Sequence, residues 1–290
     1  MLDFLLSAEA ACDLSAEQAK ENNISILPMN YFVDDKEYSS ADPTHTTVDL
    51  CDLMRAGSKT KTSQPNDYEA EEYFKNLMKA DKDILHISFS SGQSGTAATM
   101  KAAAEKLNKE WNHKIYVVDS LCQSAGVALL LYIVKDKAEK GGLNAEQAKE
   151  IAEKEKLGVA HCFVVDSLTY LARGGRISQK SAVIGNLINI KPVMHLNDEG
   201  KIVLLQKVFG RNRSLKNVVS RFKENYNGHF GTVFIAEAGC IDDARFVKEE
   251  LNKINPSVNV IINDLGPVIT CHSGPGTMAV YFTVDNRNEA

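Results

Sequence analysis

The sequence predicts an α/β protein of two α/β domains: the first built on a mostly parallel sheet with helices on both faces, the second smaller and built on a mixed sheet. Three observations carry this. Short runs rich in Val, Ile and Leu alternate with helical stretches as far as Val165, as expected for parallel strands joined by helical crossovers. Near Asp166 the alternation gives way to a loop and then to a hairpin pattern. The 290 residues also suit two units of about 150 residues each. The expected division is 1–163, carrying the binding loops, and 164–290, closing over them.

Leu2–Leu6 and Ile24–Met29 read as the first strands. Between them Ser15 and Gln18 have capping-box spacing for a helix ending near Asn22. Thr47 is expected to cap a helix over Val48–Ala56 that Gly57 stops. Asn66 and Glu69 repeat the capping spacing before a helix to about Ala80. Ile84–Phe89 and Ile115–Val118 read as strands, with a helix from Thr96 to Leu107 between them. Gly141-Gly142 separates helices Ser124–Lys140 and Asn144–Lys156, and strand Val159–Val165 follows. Residues 171–177 read as a loop, and 189–208 as a hairpin turning at Asn197–Gly200. Helix Ser214–Tyr226, strand Thr232–Glu237, helix Asp242–Asn252 and strands Val258–Asn263 and Met278–Val284 complete the chain.

Composition removes several function classes. A net charge of −5 argues against nucleic acid as the main partner, because phosphate binding needs a basic field. The six cysteines form no CxxC pair and no zinc spacing, so no metal site is expected and they read as buried thiols in a reducing cytoplasm. The N-terminal apolar run lacks a signal peptide's basic flank. Ala125–Val134 is far shorter than the roughly 20 residues that span a bilayer. A cytoplasmic protein without stable membrane insertion is the expectation.

Two hydroxyl-rich loops remain as candidate sites. Ser90-Ser91-Gly92-Gln93-Ser94-Gly95-Thr96 lies between a strand and a helix, where free N–H groups and hydroxyls make an anion cradle. The ordinary alternative is a turn capped by its own serines. A nucleophilic Ser94 fits poorly, because the segment is one residue out from the G-x-S-x-G pattern. Lys61-Thr62-Ser63-Gln64-Pro65 leads into a capped helix, and a plain polar lead-in is its alternative reading. Gly57-Ser58-Lys59-Thr60 resembles only the tail of a P-loop. His272 lies in a stiff Gly-Pro-rich stretch, residues 266–277. Arg173, Arg176, Arg211 and Arg213 sit near glycines in loops, as solvated charges or as docking points for an anionic group.

These segments occur together with Gly174-Gly175-Arg176-Ile177, Leu187-Ile188-Asn189-Ile190-Lys191-Pro192, Gly210-Arg211 and His272-Ser273-Gly274-Pro275-Gly276. In this order they resemble the DegV family of bacterial fatty-acid-binding proteins, some of which serve as the FakB subunit of fatty acid kinase. The resemblance covers nearly the whole chain. It implies a long-chain fatty acid buried between two α/β domains, with its carboxyl group held by Thr62 and Ser94. Ser63, Ser91 and Gly95 belong to the same loops, and His272 would lie near the carboxyl. Arg176 and Arg211 would face a kinase subunit that brings ATP, so the chain itself needs no cofactor. One departure stands out. The family usually opens with Thr-Asp-Ser, then Cys or Ala and Asp-Leu, whereas this chain reads Ala8-Glu9-Ala10-Ala11-Cys12-Asp13-Leu14. The competing functions are a carrier or sensor with no kinase partner, and a stand-alone phosphotransferase or hydrolase using His272 or Ser94.

Overall fold

The computed structural model describes residues 2–42, 44–178 and 189–289. Its first part runs β1 (Leu5–Glu9), α1 (Ala16–Glu21), β2 (Ile24–Leu27), β3 (Asn30–Val33), β4 (Lys36–Ser39), α2 (Thr47–Arg55) and β5 (Thr60–Thr62). It continues through α3 (Asp67–Met78), β6 (Ile84–Ser88), α4 (Thr96–Leu107), β7 (Ile115–Asp119), α5 (Ala125–Gly141) and α6 (Ala145–Glu155). The second part runs β8 (Val159–Val164), α7 (Thr169–Arg173), β9 (Ile190–Leu196), β10 (Ile202–Phe209), α8 (Arg211–Asn225) and β11 (Thr232–Glu237). It ends with α9 (Ile241–Ile254), β12 (Asn259–Asp264), α10 (Pro267–Ser273) and β13 (Met278–Thr283). Leu187 and Ile188 lie outside the described residues.

The expected α/β architecture is present as two main sheets. The order β2-β1-β6-β7 forms a four-stranded, wholly parallel sheet. The order β10-β9-β8-β13-β11-β12 forms a six-stranded mixed sheet, with β11 and β12 parallel and the other pairs antiparallel. Val159–Val164 pairs inside the second sheet, so a division at 163–164 runs through one of its strands.

Helix α5 explains why the two layers pack closely. Its residues from Ala125 to Leu131, with Ile133 and Val134, are buried. It packs against β1 and β6 on one side and against β8, β11 and β13 on the other. A helix apolar on nearly all faces must be buried all round, and two sheets supply that.

The capping predictions resolve in detail. Ser15–Gln18 and Asn66–Glu69 are reciprocal capping boxes. The cap of α2 is Thr46, not Thr47: Thr46 is extended and Asp49 sits at the third helical position to return its bond. Thr47 instead donates to the Leu265 carbonyl at 2.9 Å. The third, small sheet β4-β3-β5 was not expected. Its tight turn has Asp34 and Asp35 both at positive φ, 48° and 66°. Such a turn normally advertises itself with Asn-Gly or Asp-Gly, and this pair carries no glycine. The loop expected over 171–177 begins with the short helix α7, and 266–277 contains helix α10, with Pro267 in its first turn and Gly274 (φ 83°) at its end. Proline suits that first turn because its missing N–H has no helical partner there.

Two buried polar residues fasten the layers. Arg287 donates to the carbonyls of Val159 (2.9 Å), Leu121 (2.7 Å) and Lys156, tying the C-terminal end to the β7–α5 turn. Asp13 accepts from Ser124 Oγ at 2.5 Å and from the Gly266 N–H at 3.0 Å, joining the β1 loop to the starts of α5 and α10. Burial pushes the Asp13 carboxyl up to about 7 against the effect of these two bonds.

Because the folded value lies above the ordinary 3.8, the native state holds this proton more tightly than the unfolded chain. The Asp13 contribution to stability is full below about pH 4 and is lost as pH rises towards 7. In urea unfolding across this window, Asp13→Asn should gain stability relative to the wild type as pH rises. A constant difference between the two proteins would overturn the assignment.

Candidate functional site

Between the two main sheets lies a cavity of about 440 Å3, inside the ~300–1,000 Å3 range of small-molecule sites. About half of its wall is apolar: Met29 and Phe89 from the first part and Phe163, Leu265, Val268 and Ile269 from the second. Its polar groups include Thr62, Gln64, Gln93, Ser94, Arg176, His272 and Ser273.

Local pairing explains how these residues meet. Strand β5 adds to β3 with Thr62 opposite Tyr31, which fixes the direction of the Thr62 side chain. Helix α10 packs on β5 and β3, bringing His272 beside it. Thr62 Oγ1 and His272 Nε2 are 2.7 Å apart and hydrogen-bonded. Gly174 makes this approach feasible, because a Cβ there would collide with His272 Nδ1. That nitrogen and Ser273 Oγ are both buried with no hydrogen-bond partner among the described residues. Burial, reinforced by the charge of Arg176, lowers His272 to about 4, so the imidazole is neutral at pH 7.

Ser94 precedes α4, and its hydroxyl lies 2.8 Å from Thr96 Oγ1. A side chain on Gly95 would strike the Gln64 amide. Gly92 likewise abuts the backbone of Glu199 and Gly200, where the β9–β10 turn meets the first layer. Ser91 is exposed and does not line the cavity; its N–H bonds Asp119 Oδ1 at 3.1 Å. Ser63 is half-buried, lies off the cavity wall, and donates its N–H to Asn30 O at 3.2 Å.

The two candidate arginines differ in setting. Arg176 is half-buried on the cavity wall and donates to the Gly174 carbonyl; no described carboxylate pairs with it. Burial lowers its pKa. Arg211 lies between Asp243 at 2.7 Å and Asp166 at 3.5 Å, and Asp166 also binds Lys191.

The altered opening segment forms a buried network behind the cavity. Glu9 Oε1 accepts from His86 Nε2 at 3.0 Å and from Ser88 Oγ at 2.5 Å, while Oε2 accepts the Phe89 N–H at 3.0 Å. Burial alone would raise the Glu9 carboxyl, but His86, Ser88 and Phe89 together hold it below the ordinary carboxylate range. Glu9 thus anchors Phe89, a cavity-wall residue, and the root of the Ser90–Thr96 loop.

Chemically, the polar groups can receive an anion by hydrogen bonds from hydroxyls near one unneutralised guanidinium. Ser94 has no imidazole within hydrogen-bonding distance among the described residues, and His272 is engaged by a threonine. Among the described residues no group of three or more His, Cys, Asp or Glu side chains is placed to hold a metal, and no helix is long and apolar enough to cross a membrane. Sequence reading passed over Ser273 and Gln64, although each adjoins a chosen residue. It also passed over Gln123, for which no local signal exists.

In an NMR titration, the His272 imidazole should stay neutral until pH falls to about 4. Arg176→Gln should move that midpoint upward. An ordinary midpoint near 6.5 in the wild type would contradict this geometry.

The chain matches the family model described as "Uncharacterised protein, DegV family" over residues 5–285. It is 33% identical to a DegV domain-containing protein of Clostridium perfringens, over 99% of each chain. It is 31% identical to one of Streptococcus pyogenes, over 98% of this chain and 99% of that one. Among solved structures it is similar to a fatty acid binding DegV family protein of Streptococcus agalactiae, with TM-score 0.84, 26% identity and coverage of 99% and 100%. The DegV fatty acid binding protein of Bacillus subtilis shares the fold, with TM-score 0.85, 22% identity and coverage of 98% and 100%. With its sequence matched almost end to end and its fold shared, the chain belongs to the DegV family.

Proposed function

We propose that this protein binds a long-chain fatty acid in the cavity between its two sheets, with the carboxyl group at Thr62 and Ser94 and the acyl chain against the apolar walls. The observation that carries the reading is a cavity whose wall is about half apolar, with hydroxyl groups, a neutral imidazole and an arginine that no described carboxylate pairs with at its polar part. Burying a tail contributes about 0.8 kcal/mol per CH2. A sixteen-carbon chain therefore supplies on the order of 10 kcal/mol before ordering costs. A bare carboxylate is costly to bury unless hydrogen-bonded, and Thr62, Ser94 and Ser273 supply donors. The family relatives support the reading: solved DegV proteins are described as fatty acid binding, and one as loaded with heptadecanoic acid.

We further propose that the protein acts in the cytoplasm and presents the carboxyl group to a separate ATP-dependent kinase. A carboxylate oxygen would attack the γ-phosphorus of ATP on that partner, the bond to ADP would break, and an acyl phosphate would form. Hydroxyl ligands suit this step because they bind the carboxylate without fully neutralising it. The neutral His272, with Nε2 donating to Thr62 Oγ1, leaves the Thr62 hydroxyl proton for the carboxylate and so orients it for the transfer. Arg176, on the cavity wall and without a carboxylate partner among the described residues, and Arg211 are the proposed contacts to the kinase. This chain thus serves as the lipid-binding subunit, and the partner performs the phosphoryl transfer.

Native mass spectrometry of protein purified from a bacterial host should show a retained long-chain fatty acid. Thr62→Ala combined with Ser94→Ala should weaken retention by roughly 3 kcal/mol, about a hundredfold in affinity. An empty wild-type protein that hydrolyses an ester or ATP alone would refute the binding role. With a candidate kinase and ATP, His272→Ala should keep lipid binding largely intact and reduce acyl phosphate formation. Normal acyl phosphate formation in that variant would remove His272 from the proposal.

A further inference from the structure

Of the polar wall residues that the carboxyl group does not use, Gln64, Gln93 and Thr277 have hydrogen-bond partners within the protein, and one does not. Gln123 lies in the turn between β7 and α5, is 7% exposed, and lines the cavity. Its side-chain amide has no hydrogen-bond partner among the described residues, and it bonds none of Thr62, Ser94 or His272. The same wall also carries Ala11, Phe163, Ala279 and Tyr281.

The backbone that carries Gln123 is held firmly. Its N–H donates to His161 Nε2 at 3.1 Å, and His161 Nδ1 lies 3.0 Å from the Val159 carbonyl. Burial, with the charge of Arg287, keeps that imidazole neutral, as this bonding pattern requires. On one side Arg287 grips the Leu121 carbonyl, and on the other Ser124 bonds Asp13. Leu121 and Ser124 both have positive φ, 51° and 52°, so the backbone that carries Gln123 on the cavity wall has little freedom to move away. Once an acyl chain fills the cavity and excludes water, an amide left without a partner is costly where an apolar side chain of similar size would not be. A ligand group able both to donate and to accept would satisfy it, and a plain hydrocarbon chain would not.

We infer that Gln123 is a specificity-determining residue that selects acyl chains bearing a hydroxyl group along the chain, the hydroxyl donating to its Oε1 and accepting from its Nε2. This rests on the fatty-acid reading of the cavity. The carboxyl group stays with Thr62 and Ser94, and Gln123 reads a second point on the same ligand.

The test measures affinities of the purified, delipidated protein for octadecanoate and for a positional series of monohydroxylated octadecanoates. At least one position should bind roughly three- to tenfold more tightly than octadecanoate. Gln123→Leu and Gln123→Met should abolish that gain and leave octadecanoate affinity unchanged or improved, which also reports that each variant is folded. The inference is overturned if no position gains, or if the gain survives in both variants. It is equally overturned if the variants lose octadecanoate and its hydroxylated forms by the same factor, since Gln123 would then serve the carboxyl group or the fold. Failure of the wild type to bind octadecanoate at all would instead remove the fatty-acid reading itself, and this inference with it.

Discussion

The hydrogen bond between Thr62 and the neutral imidazole of His272 is the contact on which the polar part of the cavity depends. It spans 210 residues of sequence and joins a short edge strand of the small antiparallel sheet to a helix just before the last strand. It can form only because β5 pairs with β3, because α10 packs on both, and because Gly174 leaves room beside the ring. A charged imidazole would be costly at this depth beside Arg176. Keeping the ring neutral lets a buried His serve as a hydrogen-bonding partner without bringing a second charge into the site.

Behind that contact, two buried carboxyl groups solve different problems. Glu9 is surrounded by donors and stays below the ordinary carboxylate range, so it works as an anchor for His86, Ser88 and the Phe89 amide. Asp13 has two donors among the described residues and is pushed up to about 7 by burial. One holds the floor of the hydroxyl loop; the other holds the start of the helix that carries His272. The departure at the opening segment therefore does not leave an empty place. Glu9 reaches partners from β6 that no neighbour in sequence could supply.

The cavity follows from how α5 is used. A helix buried on nearly all faces fills the space between the two sheets, and among the described residues none of its side chains lines the cavity. The opening lies beyond its N-terminus, where the loops after β6 and β7 face α7 and α10. Parallel strands commonly place ligands outside their carboxyl ends. Here the second layer closes over that edge, and the β9–β10 turn meets Gly92 from above. Such a place would suit the proposed acyl chain, because its tail needs apolar wall and its head needs donors fixed before it arrives.

Elements with strong local periodicity were legible in the sequence: the parallel strands, α5, and the capping boxes at Ser15 and Asn66, all set by neighbours a few residues apart. The β3–β4 hairpin was not, because Asp34-Asp35 replaces the usual glycine-bearing turn. Helix α10 was not, because two Gly-Pro pairs make its surroundings look like turns. Thr62, Ser94, His272 and Arg176 were recognisable as chemistry-bearing residues within ordered motifs, and the structure brings them to one cavity. Ser91, from the same loop as Ser94, turns outward, which no local pattern records. The sequence by itself determined the α/β class, the family and the residues with the right chemistry, since these depend on periodicity and motif order. Only the tertiary structure decided which hydroxyls face inward, which imidazole is neutral, and that Gln123 lines the wall with no partner for its side-chain amide among the described residues. Those properties arise from burial and from partners distant in the chain, which local spacing does not encode.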